Sequence, residues 1–242
     1  MIEIKNLSKT YAKGKIKAVN NLNLDIRKGE IFGFLGPNGA GKTTTIKMIT
    51  GILKPDEGSI TLNGIDVVKE PINAKMQIGF VPDNPEIFSR LTGIEYLNFI
   101  ADIYEVDDKQ RYEKINVLAE SFEIKDALNS NIGSFSHGMK QKLIIIGALI
   151  HNPPIWILDE PLVGLDPKAA FVLKEMLRNH AENGNTVFFS THIMEVAEKI
   201  CDRIGIIKKG EIIFTGTIDE LRQLRKENES LENLFLELVE NE

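Results

Sequence analysis

Strand character is concentrated in the first third of the chain. Short runs at Met1–Lys5, Leu22–Ile26 and Ser59–Leu62 are separated by Asn, Gly, Pro and Asp turn signals. Met1–Lys5 alternates apolar and polar residues, the period of a half-buried strand. Ile31–Leu35 is apolar throughout and ends at a glycine, which suits a strand buried on both faces. Helical spacing begins at once in Lys42–Thr50, and Gly51 is placed to end that helix.

From about Glu86 to Ser136 the pattern changes. Leu91–Tyr104 and Gln110–Phe122 have helical spacing, with little strand character between them. We read an inserted helical subdomain that reaches, with the next helix His137–Ile150, over about residues 86–150. A strand (Ile155–Leu158), a helix (Lys168–Asn183), a strand (Thr186–Ser190) and a helix (Ile193–Cys201) follow. A hairpin centred on Lys209-Gly210 closes a body spanning 1–216. Alternating helices and strands predict an α/β fold, a mostly parallel sheet with helices on both faces. The tail, 217–242, opens with Thr217-x-x-Glu220, the spacing of a capping box. Its Leu231, Leu234, Phe235 and Leu238 form one apolar stripe, which packs either on the chain's own body or on a partner.

Composition narrows the function classes. With 242 residues, 43% hydrophobic and 26% charged, the chain can bury a sizeable core. Its longest apolar run, Leu143–Ile150, falls far short of the ~20 residues that cross a bilayer. The N-terminus reads as a strand rather than a leader. A cytoplasmic protein is expected, with any membrane role exerted through a partner. The single cysteine, Cys201, allows no internal disulfide and reads as a small hydrophobe near a helix end. Net charge is −6, and the acidic tail from Thr217 carries −5 of it. No strongly basic face is implied, so nucleic acid is not an expected partner.

Chemistry appears first at Gly36-Pro37-Asn38-Gly39-Ala40-Gly41-Lys42-Thr43, which fits G-x-x-x-x-G-K-[ST]. Such a loop turns successive backbone N–H groups inward around a polyphosphate. Side chains at Gly39 or Gly41 would obstruct that curvature or the approach of phosphate. The helix that opens near Lys42 aims its positive dipole end at the same anion. Lys42 would reach the β/γ-phosphates, and Thr43 would offer its hydroxyl to Mg²⁺; the nucleotide-binding stretch is taken as Gly36 to Thr44. The four fixed positions occur by chance in a chain this long about once in a hundred. Ile155–Leu158 is followed by Asp159-Glu160, two acids at a strand end where ligands of parallel sheets sit. Asp159 suits Mg²⁺ through water, and Glu160 suits the orienting or deprotonation of an attacking water.

Further motifs resemble the ABC-type ATPases. Phe135-Ser136-His137-Gly138-Met139 resembles that family's signature, usually Leu-Ser-Gly-Gly-Gln. Gly164-Leu165-Asp166 resembles its D-loop, and His192, after Ser190-Thr191, resembles its switch histidine. Tyr11 sits where the family usually has an aromatic that stacks on adenine. The resemblance runs from Leu7 to about Gly216, and the signature is its most specific part. It implies a P-loop NTPase fold: a mostly parallel core sheet, an N-terminal antiparallel β subdomain and the inserted helical subdomain. It also implies ATP and Mg²⁺ as ligands, with Thr43, Asp159 and Asp83 at the metal. Glu160 would be the base, His192 would position water, and Lys42 would neutralise charge. Ser136, His137 and Gly138 would act on the nucleotide of a second copy. Independently, Ser136 is a good N-cap on a helix whose Met139, Leu143, Ile146 and Ile150 share a face. A second anion-seeking helix end in one chain makes sense if two chains pair head to tail.

The chain departs from the family pattern at four places. Asp83, in Ile78-Gly79-Phe80-Val81-Pro82-Asp83, stands where a Q-loop glutamine is usual. His137 replaces a glycine and Met139 a glutamine; Val163 replaces a small polar residue before the D-loop. His137 either adds a charge-tunable contact to the partner's nucleotide or fills space. The remaining His151 and His180 read as loop and surface residues.

Three functions compete. An ATPase subunit of a membrane transporter needs a separate permease, docked on Asp83–Tyr96 through residues such as Phe88, Leu91 and Tyr96. The tail Ser230–Leu238 resembles endings in ATPases of bacterial ABC-2-type exporters, which favours export; the subunit dimer is either homo- or heteromeric. A soluble ABC ATPase of translation or DNA repair would carry two nucleotide domains or a long coiled-coil insertion, and neither is present. A small-molecule kinase or GTPase would need an acceptor site or an Asn-Lys-x-Asp motif, and the signature argues against it.

Overall fold

The computed structural model describes residues 1–11, 16–84, 87–224 and 230–240. Two sheets stand at its centre. Six strands are ordered β10-β9-β3-β8-β7-β6: β3 (Ile31–Leu35), β6 (Ile78–Val81), β7 (Ile155–Asp159), β8 (Thr186–Thr191), β9 (Arg203–Lys208) and β10 (Glu211–Thr217). All pair in parallel except β10, the antiparallel edge that closes the Lys209-Gly210 hairpin. The second sheet is antiparallel and ordered β2-β1-β4-β5: β1 (Ile2–Tyr11), β2 (Ile16–Ile26), β4 (Glu57–Leu62) and β5 (Ile65–Asp66).

The period of two along each central strand sorts the core into two layers. Ile31, Leu35, Trp156, Leu158, Val187 and Phe189 face one way, into an apolar layer shared with helices. These are α3 (Gly93–Ile103), α4 (Asp108–Ser121), α5 (His137–Leu149), α6 (Pro167–Glu182), α7 (Met194–Ile200), α8 (Ile218–Gln223) and α9 (Leu231–Glu240). Phe32, Phe34, Ile155, Ile157 and Phe188 face the other way. They meet the antiparallel sheet, α1 (Lys42–Ile49) and α2 (Pro71–Lys75). A strand covered on both faces has no polar side, which is why Ile31–Leu35 is apolar throughout.

Local signals set the helix starts. Thr92 and Thr217 each close a capping box with a glutamate three residues on. Ser136 accepts a hydrogen bond from the Met139 N–H at 3.2 Å, and Asp166 accepts from Ala169 N–H at 2.8 Å with Pro167 at the first helical position. The tail stripe packs on the chain's own body: Leu231, Leu234 and Phe235 are buried in the helical layer.

Several outcomes differ from the sequence reading. β1 runs on to Tyr11 past three register shifts, with Asn6 at φ 49°, so bulges hide its period. The short strand β6 was not anticipated; Gly79 lets α5 lie across it, because a methyl there would stand 2.1 Å from Ala148 O. The insertion expected from about Glu86 starts outside the described residues. His151 does sit in the turn after α5, but its ring stacks on Tyr104 at 3.6 Å and faces Ile78 O at 3.1 Å. His180 lies edge-on to Trp156 at 5.6 Å. Both rings are half-buried against these aromatic neighbours, and that burial lowers both imidazoles to about 4. Among the described residues no helix is long and apolar enough to cross a membrane.

Candidate phosphate-binding and hydrolytic site

The C-terminal ends of β3, β7 and β8 stand level, with Leu35 opposite Thr191 and Asp159 opposite Ser190. The chain leaving these three ends supplies the chemistry, as expected for ligands of parallel sheets.

After β3, residues Gly36–Gly41 form the loop. Gly39 (φ 79°) and Gly41 (φ 112°) both hold left-handed backbone. At Gly41 a methyl would also meet Ala18 O at 2.5 Å, so glycine is required there twice over. Helix α1 starts at Lys42 with no side-chain cap and no acid in its first turn. Its leading N–H groups and positive end are left to an anion. The loop is braced from a distance: Gly210 N–H donates to Ala40 O, and Asn20 N–H to Gly210 O, each at 2.9 Å.

Lys42 is only 7% exposed. Its Nζ donates to Gly36 O at 2.6 Å and Pro37 O at 3.3 Å, and stands 3.7 Å from Glu160 Oε1. Burial lowers its pKa, while the Glu160 and Asp159 carboxylates pull the other way. Asp159, at 2% exposure, accepts hydrogen bonds from the Ser190 and Thr43 hydroxyls. Burial raises its pKa above the usual carboxylate range; those hydrogen bonds oppose the shift, and the charges of Asp83 and Glu160 add to it.

Glu160 takes φ 49°, an uncommon conformation for a non-glycine residue, and its N–H donates to Ser190 Oγ at 3.2 Å. That turn separates it from Asp159, so adjacent acids face different partners. Glu160 Oε1 stands 3.0 Å from His192 Nδ1. A carboxylate only accepts, so the imidazole donates from Nδ1, and Nε2 is an acceptor in the neutral ring. The cleft among the Pro37–Thr44 segment, Asp83, Glu160 and Ala18 holds about 190 Å³. Drug-sized ligands occupy roughly 300–1,000 Å³, so this is room for phosphates while the rest of a nucleotide lies outside.

Thus Gly36–Thr44, Asp83, Asp159, Glu160 and His192 converge. Ser136, His137, Gly138 and Tyr11 do not line the cleft. Tyr11 is 40% exposed at the end of β1, and the signature residues stand at the start of α5 against Gly164. The sequence reading missed Ser190, which links Asp159 to Glu160, and the brace from Gly210. Ser190 had a signal, since it stands near the end of a core strand, two residues before His192. The brace had none, because 170 residues separate Gly210 from Ala40.

The family profile described as ABC transporter matches residues 19–163, spanning the phosphate loop, the signature and the acidic strand. The chain belongs to the ABC transporter family. It is an ATP-binding subunit and an ATPase. Individual relatives agree. The chain is 36% identical over 239 residues to the ABC transporter ATP-binding protein NatA of Bacillus subtilis (strain 168), covering 98% of this chain and 97% of NatA. It is 39% identical over 221 residues to the linearmycin resistance ATP-binding protein LnrL of the same organism, covering 91% of this chain and 70% of LnrL. A solved ATP-binding subunit of an ABC transporter superposes with a TM-score of 0.92 at 34% identity, covering 98% of this chain and 99% of that one. The dimeric, post-hydrolysis cassette MJ0796 bound to ADP and Pi gives 0.82 at 29% identity, covering 90% of this chain and 99% of that one. In this ABC ATPase the cleft at Pro37–Thr44 and the start of α5 are separate surfaces of one chain.

Proposed function

We propose that the chain is the cytoplasmic ATPase subunit of an exporter, working as a pair of subunits on a separate membrane permease. One observation carries the reading: Lys42, Thr43 and Glu160 line one cleft, with Asp159 bonded to Thr43 and His192 to Glu160 behind them, while Ser136–Gly138, also at a helix N-terminus, stand outside it. A head-to-tail pair brings the second helix end onto the first chain's nucleotide. MJ0796, whose fold this chain shares, is dimeric.

Within one cleft, Lys42 and the N–H groups of α1 hold the β/γ-phosphates, which is most of the work in phosphoryl transfer. A carboxylate, a hydroxyl and a second carboxylate, from Asp159, Thr43 and Asp83, suit a hard cation that also takes phosphate and water oxygens. Mg²⁺ held there would neutralise phosphate charge. Glu160 accepts the proton of the attacking water, and His192 fixes the Glu160 carboxylate through Nδ1.

Permease coupling falls on the 83–96 segment, of which 85–86 lie outside the described residues. A groove of about 640 Å³ opens there between the end of β6 and α3, with Phe80, Ile87 and Ile100 among its walls. Phe88, 59% exposed, stands at its mouth with its ring edge-on to Phe99 at 5.9 Å. Aromatics exposed beside a groove mark a docking surface, and this one suits a short cytoplasmic helix of a permease. Export is favoured by relatives named for linearmycin resistance and, at 34% identity, as a probable multidrug transporter protein of Escherichia coli (strain K12).

Glu160→Gln tests the reading. With ATP and Mg²⁺ the variant should run as a dimer in size exclusion while hydrolysis falls to a trace. A variant that stays monomeric, or that hydrolyses at the parent rate, removes it.

A further inference from the structure

The first two turns of α5 do more than present the signature. They grip the segment 161–166, which leaves Glu160 and leads to α6. Gly138 lies so close to this segment that a methyl on it would stand 2.8 Å from Gly164 O. Gln141, fully buried, points Nε2 at Pro161 O at 3.5 Å. Lys142 Nζ pairs with Asp166 Oδ2 at 2.7 Å. Asp166 uses its other oxygen to cap α6. The remaining contact is the His137 imidazole. A methyl on Gly164 would come within 2.4 Å of its Cδ2 and 2.8 Å of its Nε2. The exposed ring thus rests its Cδ2–Nε2 edge against the Gly164 backbone, where a side chain would displace it, and Gly164 itself holds φ 81°.

We infer that His137 is a positioning residue, whose imidazole fastens the signature helix to the loop after Glu160 in the same chain. This rests on the head-to-tail reading above. The signature it resembles carries glycine here, which has no side chain to rest on the loop. In this chain the backbone that meets the partner's phosphate and the backbone that aims Glu160 at its own phosphate are joined by a ring. Engagement of one nucleotide therefore shifts the loop that sets the other site's base. Packed interfaces with few alternative arrangements transmit displacements in this way. The arrangement also assigns His137 to its own chain's loop, rather than to the partner's nucleotide.

The test is a double-mutant cycle on the full chain. His137→Gly, Gly164→Ala and the pair are compared with the parent for kcat, KM, Hill coefficient in ATP, and thermal midpoint. His137→Gly should lower kcat and bring the Hill coefficient toward one with KM little changed. His137→Asn, a shorter planar group, should recover part of the loss. Gly164→Ala should lower the midpoint more in the parent, where the methyl strikes the ring, than in His137→Gly. Parental kcat and Hill coefficient in His137→Gly, or strictly independent effects at the two positions, would overturn the inference. The two failures are distinguishable. Parent turnover that does not vary with chain concentration removes the pairing and the inference with it. Concentration-dependent turnover with no coupling between 137 and 164 removes the inference alone.

Discussion

The starts of α1 and α5 are both anion-seeking helix ends, and they are built in opposite ways. At α1 the chain leaves the leading N–H groups uncapped, buries Lys42 beside them and braces the loop from Gly210. Two carboxylates stand across the cleft. At α5, Ser136 caps one N–H, the residue is exposed, and the neighbour of His137 and Gly138 is the chain's own Gly164. The first has the parts of the phosphate cradle we propose. The second is an exposed helix end that packs against the 161–166 segment of its own chain. Of the two ends, buried charge and uncapped N–H groups coincide only at α1, which is why the proposed function has a second copy complete the site at α5.

Breaking the finished site should have the largest effects. Glu160→Gln keeps the side-chain shape and its approach to His192 but cannot take a proton. Turnover should fall about 10²- to 10⁴-fold, the span typical of general acid–base groups, with ATP affinity retained; steady-state hydrolysis and equilibrium binding measure the two. Lys42→Ala removes a charged donor from the phosphates. It should weaken ATP binding by about 10- to 100-fold, corresponding to the ~1.5–3 kcal/mol of a charge-assisted hydrogen bond, as read by titration calorimetry. Unchanged affinity would contradict the cradle. Asp83→Gln restores the family's usual side chain and removes one of the negative charges facing the anion. Affinity for ATP in EDTA should rise several-fold, and the gain on adding Mg²⁺ should shrink. Equal Mg²⁺ dependence in parent and variant would take Asp83 out of the metal site.

The exposed end should respond more mildly in stability. Ser136→Ala loses a cap worth about 1 kcal/mol, so a small drop in denaturant midpoint is expected. Turnover should fall with ATP affinity of the dilute chain untouched. A loss of affinity in the dilute chain would mean that this end belongs to the same cleft after all.

What was legible in the sequence follows the same division. Gly36–Thr43, Asp159-Glu160, the capping boxes at Thr92 and Thr217 and the N-cap at Ser136 depend on residues within a few positions of each other, so spacing exposed most of them; Thr92 alone was not singled out. The apolar run of β3 betrayed its burial on two faces. Contacts that depend on distant partners stayed hidden. β6 is only four residues long and is defined by its pairing with β7 and by α5 crossing Gly79. His151 and His180 are half-buried against Tyr104 and Trp156, which no local pattern announces. The clamp of Lys142 on Asp166 and the hydroxyl of Ser190 between two acids likewise appear only once the strands are in register.

The central claim is that each hydrolytic site is shared between two copies. Mixing two defective variants tests it most directly. Glu160→Gln lacks the base but offers an intact signature, whereas Ser136→Glu places a carboxylate against the partner's phosphate yet keeps its own cleft. Each alone should be nearly inactive. Their mixture, in ATP and Mg²⁺, should recover hydrolysis, because a mixed pair contains one cleft with Glu160 facing one unaltered Ser136. A mixture no more active than the two variants measured separately, with mixed pairs confirmed to form, would contradict the account.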